Sequence, residues 1–359
     1  MSIHRIPSKM RQILVKKLAS NFREATEIVE AAVPKPGPKE VVIKNRYVGI
    51  NASDINYTAG RYDPTKRPPF PAGFEGLGEV VSVGPDTVLK VGQAVLYSKF
   101  GAFSDFISVE AATTIPVPTC DPAFLSLMVS GLTASVALEK EADLKPGQTV
   151  LVTAAAGGTG QFAVQLAKLA GCHVIGTCSS DDKNDFLKSI GCDRTINYRK
   201  EKLNDVLSKE YPKGVDVVYE SVGNEMFDDA LKNLAVFGKL IVIGMISNYE
   251  GQEIKDGNTF HDLKEKRTVP IPMTVLTKSA RVSGFFLPHY RADFPRHIGT
   301  LIKLYKEGKL KVSSDVGVGA ANGPFVGLEK VADAVEHMYA RKNVGKVIVE
   351  LNKDDKSAL

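Results

Sequence analysis

The spacing of apolar and polar positions changes once along the chain. Between about Val41 and Ile115, short β-branched runs such as "EVVIKNRYVGI" and "GEVVSVG" are separated by Gly and Pro. From Leu144 onward, apolar runs such as "TVLVTA" alternate with amphipathic segments such as "GQFAVQLAKLAG". Strands that alternate with helices indicate right-handed parallel crossovers. The pattern therefore predicts an α/β protein with a mostly β-stranded first part and a doubly wound parallel sheet after it.

Two further segments decide the predicted domain limits. Residues 247–280 are polar and then Pro-rich, and we interpret them as a long loop of the lid or binding type. A helix is predicted to run to about Glu307, and the final apolar run "GKVIVEL" is a strand that can return to the first part. We therefore predict one domain from residues 1–125 and 310–359, and a Rossmann domain from residues 126–309.

Composition disfavours several classes of protein. The net charge of +5 is small for 359 residues and its basic residues are dispersed, which argues against nucleic-acid binding. The longest uncharged stretches, residues 122–138 and 146–167, are interrupted by Ser, Thr, Gln and Gly, so we predict buried elements and no membrane span. The four cysteines form no C-x-x-C pair, so neither a zinc knuckle nor a disulfide framework is indicated.

A glycine-rich turn follows the first predicted strand of the parallel sheet. It reads Ala155-x-Gly157-x-x-Gly160, a version of the dinucleotide-binding fingerprint with alanine at the first position. Ala155 has only to make the tight turn. Gly157 lets the backbone approach a pyrophosphate, and Gly160 lets the helix pack closely on the strand. We predict that this turn, including Gly158 and Thr159, binds a dinucleotide at the helix N-terminus.

The residues after the second parallel strand bear on which dinucleotide is bound. An NAD-binding protein usually places a carboxylate at this strand end, beside the adenosine ribose. Here Ser179 offers a hydroxyl, Lys183 an ammonium group and Tyr198 a phenol, a set that suits a 2′-phosphate and predicts NADPH. Asp181 and Asp182 support the alternative, since either can bind a ribose hydroxyl.

These motifs resemble the medium-chain dehydrogenase/reductase superfamily, in its zinc-free quinone oxidoreductase branch. "VTAAAGGTGQFA" falls at the spacing of that branch's signature, and "VGINASDINYTAGRY" looks like its GroES-like domain. The resemblance implies a GroES-like β-rich catalytic domain, a Rossmann cofactor domain and a homodimer. The pattern and the resemblance together predict further cofactor contacts at Ser221, Ile243, Tyr249, Phe285, Phe286, Leu287 and Asn343. For the two phenylalanines, packing at the sheet edge or in a dimer seam is the alternative role. For the tyrosine, the alternative is a solvent-exposed position in the loop.

The resemblance also bears on metal binding. Zinc alcohol dehydrogenases have Cys after "GI", a His-Glu pair in "GHE" and a later Cys as ligands. This chain has Asn51 in "GIN" and Phe74 before Glu75 in "GFE". Without a thiolate or imidazole at these positions a soft tetrahedral site cannot form, and Asp54 with Glu75 is a poor substitute. We predict no metal.

Chemistry without a metal favours conjugated enones over alcohols, because hydride attack on the β carbon leaves an enolate that needs only hydrogen-bond donors. Tyr62 in "AGRY" is the first candidate donor, since related enoyl reductases have a tyrosine at the matching end of this loop. Tyr57 is the second candidate, and Asn51 can position nicotinamide or substrate. The alternatives are core packing for Tyr57 and a turn cap for Asn51.

The sequence thus predicts an NADPH-dependent reductase of lipid α,β-unsaturated ketones, and the resemblance most specifically implies 15-oxoprostaglandins reduced at the 13,14 bond. A quinone oxidoreductase and a non-catalytic NADPH-binding structural protein are the alternatives. No secretory signal is indicated at the start of the sequence, so we expect a cytoplasmic or peroxisomal location. The terminal Ser357-Ala358-Leu359 resembles the Ser-Lys-Leu peroxisomal address, and an ordinary polar tail is the alternative.

Overall fold

The β-branched runs of the first part form two antiparallel sheets in the computed structural model, which describes residues 6–63, 65–250 and 268–352. The smaller sheet contains the first, second and fourth strands of the chain. The larger sheet contains the third strand and the fifth to eighth strands. The eight strands are β1 (Lys9–Val15), β2 (Thr26–Ala32), β3 (Glu40–Gly49), β4 (Phe70–Pro71), β5 (Glu75–Val83), β6 (Ala94–Ser98), β7 (Phe106–Glu110) and β8 (Ile115–Val117).

The second part is a six-stranded sheet in which every neighbouring pair is parallel. Its strands are β9 (Thr149–Val152), β10 (His173–Cys178), β11 (Arg194–Asn197), β12 (Val215–Glu220), β13 (Leu234–Val242) and β14 (Arg281–Gly284). The order β11-β10-β9-β12-β13-β14 reverses direction between β9 and β12. This confirms the predicted doubly wound sheet, and ligands bind at the carboxyl ends of strands where such an order reverses.

The C-terminal segment returns to the first part, as predicted for "GKVIVEL". Strands β15 (Ser314–Asp315) and β16 (Lys346–Glu350) pair with each other, and β16 pairs antiparallel with β3. A single bridge also joins Gly345 to Gly157 of the glycine turn. Strand β16 therefore brings its first residue, Lys346, to the junction between the β-rich part and the parallel sheet.

The helices that follow β9 to β12 cover the parallel sheet because each buries apolar residues against it, whereas others, such as the last helix, pack on the β-rich part. In the helix after the glycine turn, for example, Phe162 is fully buried whereas Leu169 is half-exposed at its end. The helices are α1 (Phe22–Ala25), α2 (Ser53–Thr58), α3 (Pro122–Ser126), α4 (Leu132–Ala137), α5 (Gly160–Leu169), α6 (Asp181–Ser189), α7 (Leu203–Glu210), α8 (Asn224–Lys232), α9 (Ile271–Lys278), α10 (Phe294–Lys306) and α11 (Val331–Tyr339).

The helical stretch Pro122–Ala142 joins α3 and α4 through two π-helical segments. By length and composition it is the one helix of the described residues that could cross a membrane. However, 72% of its apolar window is buried inside the protein, as in a core helix. Since core helices of this length share the same composition, the stretch is weak evidence for a membrane span.

Two details of the predicted pattern were wrong. The 247–280 segment contains helix α9, which two prolines at its start favour because their fixed φ suits the first turn of a helix. The pattern of "MFDDALKNLAVFG" predicts a helix over the whole segment, but the helix ends at Lys232. The Asn233 side chain donates to the carbonyl of Asp229 at 2.8 Å, and β13 begins at Leu234. The rest of the long loop, residues 251–267, and the Ser-Ala-Leu tail lie outside the described residues.

Candidate functional site

A cleft of about 600 Å³ opens at the carboxyl ends of the parallel strands, where the strand order reverses. Its walls come from both parts of the chain, since the glycine turn, the ends of β10, β12 and β13, the loop before α2 and the start of β16 all contribute. The predicted site residues among its lining are Asn51, Tyr62, Gly157, Gly158, Thr159, Gly160, Ser179, Lys183, Tyr198, Ser221, Ile243, Tyr249 and Asn343.

The glycine turn shows why alanine is accepted at one position and glycine required at another. A Cβ at Gly160 would lie 2.5 Å from the carbonyl oxygen of Ala154 and 2.7 Å from the Cα of Ala155, closer than any side chain allows. Ala155 itself is buried, and its N–H donates to the carbonyl of Thr177 at 2.9 Å, which ties the turn to β10. Ala155 therefore supports the cleft without lining it, and Ala154 takes the left-handed φ of +46°.

One end of the cleft holds a cluster of hydrogen-bond donors. The ammonium of Lys183 donates to the carbonyl of Arg341 at 2.9 Å, and the hydroxyl of Ser179 donates to the same carbonyl at 3.4 Å. The Arg341 guanidinium lies 5.8 Å from the ring centroid of Tyr198 and donates to its hydroxyl at 3.3 Å. Two cations, a hydroxyl and a phenol thus converge where a phosphate monoester beside the adenosine would lie.

Arg341 was missed by the sequence reading. It follows helix α11 and reaches the other three residues because α11 packs on β16 and the β-rich part, across the cleft from β10 and α6. A basic residue two positions before the predicted contact Asn343 was the available signal.

The two aspartates that supported the alternative cofactor do not line the cleft. Asp181 accepts from Asn197 Nδ2 at 3.0 Å and pairs with Lys200 on the exposed side of β11. Hydrogen bonds to Lys200 and Asn197 lower the pKa of Asp181, so its carboxylate stays ionised and committed to these partners. A ribose hydroxyl would have to compete with both.

Asn51, Tyr62 and several other predicted contacts line the rest of the cleft. Ser221 follows β12, and its N–H donates to Thr153 Oγ1 at 2.9 Å. Tyr249 is buried, and its hydroxyl accepts from the N–H of Met245 at 2.8 Å. The Asn343 amide donates to the carbonyl of Gly345 at 2.9 Å. These hydrogen bonds fix the lining of the cleft before any ligand enters.

Three predicted contacts lie beside the cleft and not in its lining. Phe285 is buried and stacks on Tyr290, with ring centroids 4.8 Å apart, and Leu287 packs against the main core. Phe286 is half-exposed, and its ring lies 5.6 Å from that of Tyr62. Phe286 therefore reaches the cleft only through Tyr62.

The two candidate donors have different surroundings. Tyr62 lines the cleft, and burial raises the pKa of its phenol well above the usual value, so the hydroxyl keeps its proton at neutral pH. Tyr57, on α2, is 4% exposed, and its ring stacks on that of Phe100 at 4.5 Å. Its hydroxyl accepts from Lys66 at 2.6 Å outside the cleft lining. Tyr62 therefore lines the cleft, whereas Tyr57 is buried outside its lining.

A buried ion pair occupies the place where the related zinc enzymes have their metal ligands. Lys346 Nζ lies 2.6 Å from Glu75 Oε1 and donates to Asn51 Oδ1 at 2.6 Å, while Asn51 Nδ2 donates to Glu75 Oε1 at 3.0 Å. Lys346 and Glu75 are 2% and 0% exposed. An ammonium ion already neutralises the carboxylate here, and Asn51 and Phe74 offer no soft ligand. The residues therefore do not fit a zinc ion.

Asp54 adds a second carboxyl group to this network. Its Oδ2 accepts from the N–H of Asn51 at 2.7 Å, whereas its buried Oδ1 has no hydrogen-bond partner among the described residues. Burial raises the pKa of Asp54 to about 8, although the Asn51 hydrogen bond and the Lys346 charge oppose this rise. Two carboxyl groups share one ammonium ion, and the neutral acid form of Asp54 relieves the excess negative charge.

Elsewhere in the described residues, Glu139, Asp293 and His297 bring potential metal-ligating atoms within 4.8 Å of one another. Both carboxylates already form ion pairs within the chain: Arg296 donates to Glu139 at 2.7 Å, and Lys140 pairs with Asp293 at 2.9 Å. This grouping is an ion-pair network on the surface of α10 and supports no metal site.

A π-helical segment, Leu127–Gly131, was also missed by the sequence reading. It frees the backbone N–H of Val129, which donates to Glu75 Oε2 at 2.9 Å. Val129 and Ser130 both line the cleft. Single π turns are frequent at functional sites, because they release a backbone donor from the helix. No side-chain pattern in this apolar stretch indicates where the π turn falls.

The curled β-rich part, the Rossmann part and the cleft between them define the architecture of the medium-chain dehydrogenases and reductases. Residues 37–119 match the alcohol dehydrogenase GroES-like domain, and residues 158–303 match the zinc-binding dehydrogenase family. The chain belongs to this superfamily, since a curated relative, prostaglandin reductase-3 of Bos taurus, is 52% identical over 349 residues, 96% of this chain and 90% of the relative.

Two other similar proteins belong to the quinone oxidoreductase branch. A probable quinone oxidoreductase of Leishmania amazonensis is 44% identical over 96% of this chain and 99% of its own. The crystal structure of Escherichia coli quinone oxidoreductase complexed with NADPH has a TM-score of 0.79 and 26% identity, covering 95% of this chain and 99% of that chain. The predicted branch of the superfamily is therefore confirmed, although the family name refers to zinc.

Proposed function

We propose that the protein is an NADPH-dependent reductase of α,β-unsaturated ketones, most specifically of 15-oxoprostaglandins at the 13,14 bond. The observation that carries the proposal is the composition of the cleft, whose lining includes both a protonated Tyr62 and the donor cluster of Lys183 and Arg341. The likeness to prostaglandin reductase-3 supports the same reaction.

Different residues of the cleft have different roles in this reaction. When bound, NADPH would supply a hydride to the β carbon of the enone, and the α carbon would take a proton from water or a nearby acid to give the saturated ketone. The glycine turn and the N-terminus of α5 hold the pyrophosphate, and Lys183, Arg341, Ser179 and Tyr198 hold the 2′-phosphate. Tyr62 donates a hydrogen bond to the ketone oxygen, where negative charge develops. Lys346 fixes the amide of Asn51, so that Asn51 positions the reacting groups in the cleft.

The direct test is to mix the protein with 15-oxo-prostaglandin E2 and either NADPH or NADH, and to follow cofactor absorbance and product mass. We expect the product to gain two hydrogens, NADPH to be preferred and the rate to persist in the presence of a chelator. Turnover of a quinone but not of the enone would favour the quinone reductase alternative, which the Leishmania relative supports. Tight NADPH binding without turnover of either would favour a non-catalytic role.

Replacing Lys183 by methionine is expected to lower kcat/KM for NADPH by about 10- to 100-fold, because a charged hydrogen bond to phosphate contributes about 1.5–3 kcal/mol. The value for NADH should not change, since NADH has no 2′-phosphate. Initial rates at varied cofactor concentration measure both. Lys188→Met, on the same helix but with its side chain 66% exposed, is the matched control. An equal loss with both cofactors would refute the assigned role of Lys183.

We also propose that the protein is a homodimer joined along β14. This strand is an edge of the parallel sheet, and an exposed edge is a template for pairing with another chain. Half-exposed Phe286 follows it, and Met273 and Leu276 on the preceding α9 are 55% and 71% exposed. Light scattering coupled to size-exclusion chromatography should give twice the chain mass of 38.8 kDa. A clean monomer at micromolar concentration would contradict the dimer.

A further inference from the structure

The ammonium of Lys66, a partly exposed residue, is surrounded by three aromatic rings. Its ammonium lies 4.7 Å from the ring centroid of Tyr57, 4.7 Å from that of Phe70 and 5.2 Å from that of Phe100. It also donates to the hydroxyl of Tyr57 at 2.6 Å. Three aromatic faces and one hydrogen bond hold the charge in a fixed position, because each face attracts a cation through its quadrupole.

Among the described residues the ammonium of Lys66 has no direct carboxylate partner, although the charge of the nearby Asp63 attracts it. Asp63 accepts hydrogen bonds from the N–H and the hydroxyl of Thr65 instead. A lysine ammonium has three N–H donors, and one is used here. Two donors of a partly buried, preorganised cation therefore remain for an anion.

A continuous row of aromatic rings connects this cation to the cleft. The ring of Tyr62, at the cleft, lies 6.3 Å from that of Phe74, and Phe74 lies 5.3 Å from Tyr57 and 5.2 Å from Phe100. Phe100 is 48% exposed although it is a large apolar side chain. Tyr62 and Phe74 are partly exposed as well, whereas Tyr57 is buried, so the exposed parts of Tyr62, Phe74 and Phe100 offer apolar surface between the cleft and the cation.

We propose that Lys66 is a specificity-determining residue that binds the carboxylate of an amphipathic enone acid while the enone lies against Tyr62. The proposal rests on the proposed function, because it assigns the polar end of the substrate of that same reaction. The aromatic row accommodates the aliphatic chain between the two ends. A carboxylate suits Lys66 because a compact ammonium binds an anion as a point charge. The phosphates of the cofactor are not competitors, since their predicted donors line the cleft, whereas Lys66 lies outside its lining.

The test compares 15-oxo-prostaglandin E2, its methyl ester and the short enone 3-nonen-2-one, each with NADPH. Esterification removes the charge and leaves the enone unchanged. We expect the wild type to prefer the acid over the ester by about 10- to 100-fold in kcat/KM, the range for one charge-assisted hydrogen bond. Lys66→Met should abolish this preference and leave the rates with the ester and 3-nonen-2-one unchanged. Lys66→Arg should retain most of the preference.

Lys90→Met is the matched control, because Lys90 is an exposed lysine of the same β-rich part and lies outside the cleft lining. Equal rates with acid and ester in the wild type would overturn the proposal, and so would an equal loss with all three substrates in Lys66→Met. Calorimetry of acid and ester binding to the NADP⁺ complex separates this result from failure of the reaction. Acid-selective binding that Lys66→Met removes, without turnover, would support the Lys66 site and refute the proposed reaction.

Discussion

Replacing Lys346 by methionine is expected to lower the free energy of unfolding by about 3–5 kcal/mol, because the change leaves a buried carboxylate without its counter-ion. Glu75 is fully buried, and among the described residues only Asn51 Nδ2 and the N–H of Val129 remain to it as donors. Methionine is close to the lysine stem in length, so the loss of packing is small. The melting temperature by circular dichroism and the yield of folded protein measure the effect.

A double replacement separates the charge from the packing. Lys346→Met with Glu75→Gln should recover much of the lost stability, because no uncompensated charge remains in the double variant. The surface pair Lys9 and Glu30 is the matched control: its atoms are 2.8 Å apart, but the side chains are 71% and 67% exposed. Lys9→Met should change the free energy of unfolding very little, because water and salt screen an exposed pair. If Lys346→Met cost no more than Lys9→Met, the network would not be the buried ion pair described above.

Replacing Tyr62 by phenylalanine is expected to lower kcat for the enone by about 10²–10³-fold, the usual cost of removing one donor to a developing oxyanion. The dissociation constant of NADPH should stay the same, since the phenol acts on the ketone and not on the phosphates or the adenosine. Single-turnover kinetics at saturating NADPH, followed by cofactor absorbance, measure the chemical step directly. Protein stability should fall only modestly, because the ring and its contact with Phe286 remain while the hydroxyl loses its hydrogen bonds with Ser53 and Asn56.

Tyr57→Phe is the informative comparison, because both tyrosines are candidate donors in the sequence. The Tyr57 hydroxyl contacts Lys66 outside the cleft lining, so its removal should affect the chemical step far less than the loss of the Tyr62 hydroxyl. The opposite result, a large loss in Tyr57→Phe and none in Tyr62→Phe, would transfer the donor role to Tyr57. Equal small losses in both would mean that the enolate is stabilised by another group.

Much of the fold could be predicted because it depends on local pattern. Alternating strands and amphipathic helices indicate a parallel sheet whatever the details of packing, and the A-x-G-x-x-G turn lies between a strand and a helix as expected. The pattern failed where a boundary depended on one hydrogen bond, as at Asn233, or on packing, as for α9 in the long loop. The π turn at 127–131 had no side-chain signature at all.

The candidate site was predicted in part for the same reason. Ser179 and Lys183 follow one strand end, so their convergence follows from the direction of the strand. Arg341 is 158 residues from Lys183 in the chain, and no local pattern links the two. Lys346 was read as part of an apolar strand, although a lysine inside such a run is a signal of a buried charge partner.

The sequence by itself determined the α/β architecture, the dinucleotide turn and the lack of soft metal ligands at Asn51 and Phe74, because each depends on residue type and short-range spacing. Only the tertiary structure decided what replaces the metal and which tyrosine reaches the cleft. Lys346 meets Asn51 across 295 residues because β16 pairs with β3, and the pairing register sets which side chains become neighbours. Tyr57 and Tyr62 are five residues apart, and their different roles follow from the way helix α2 packs.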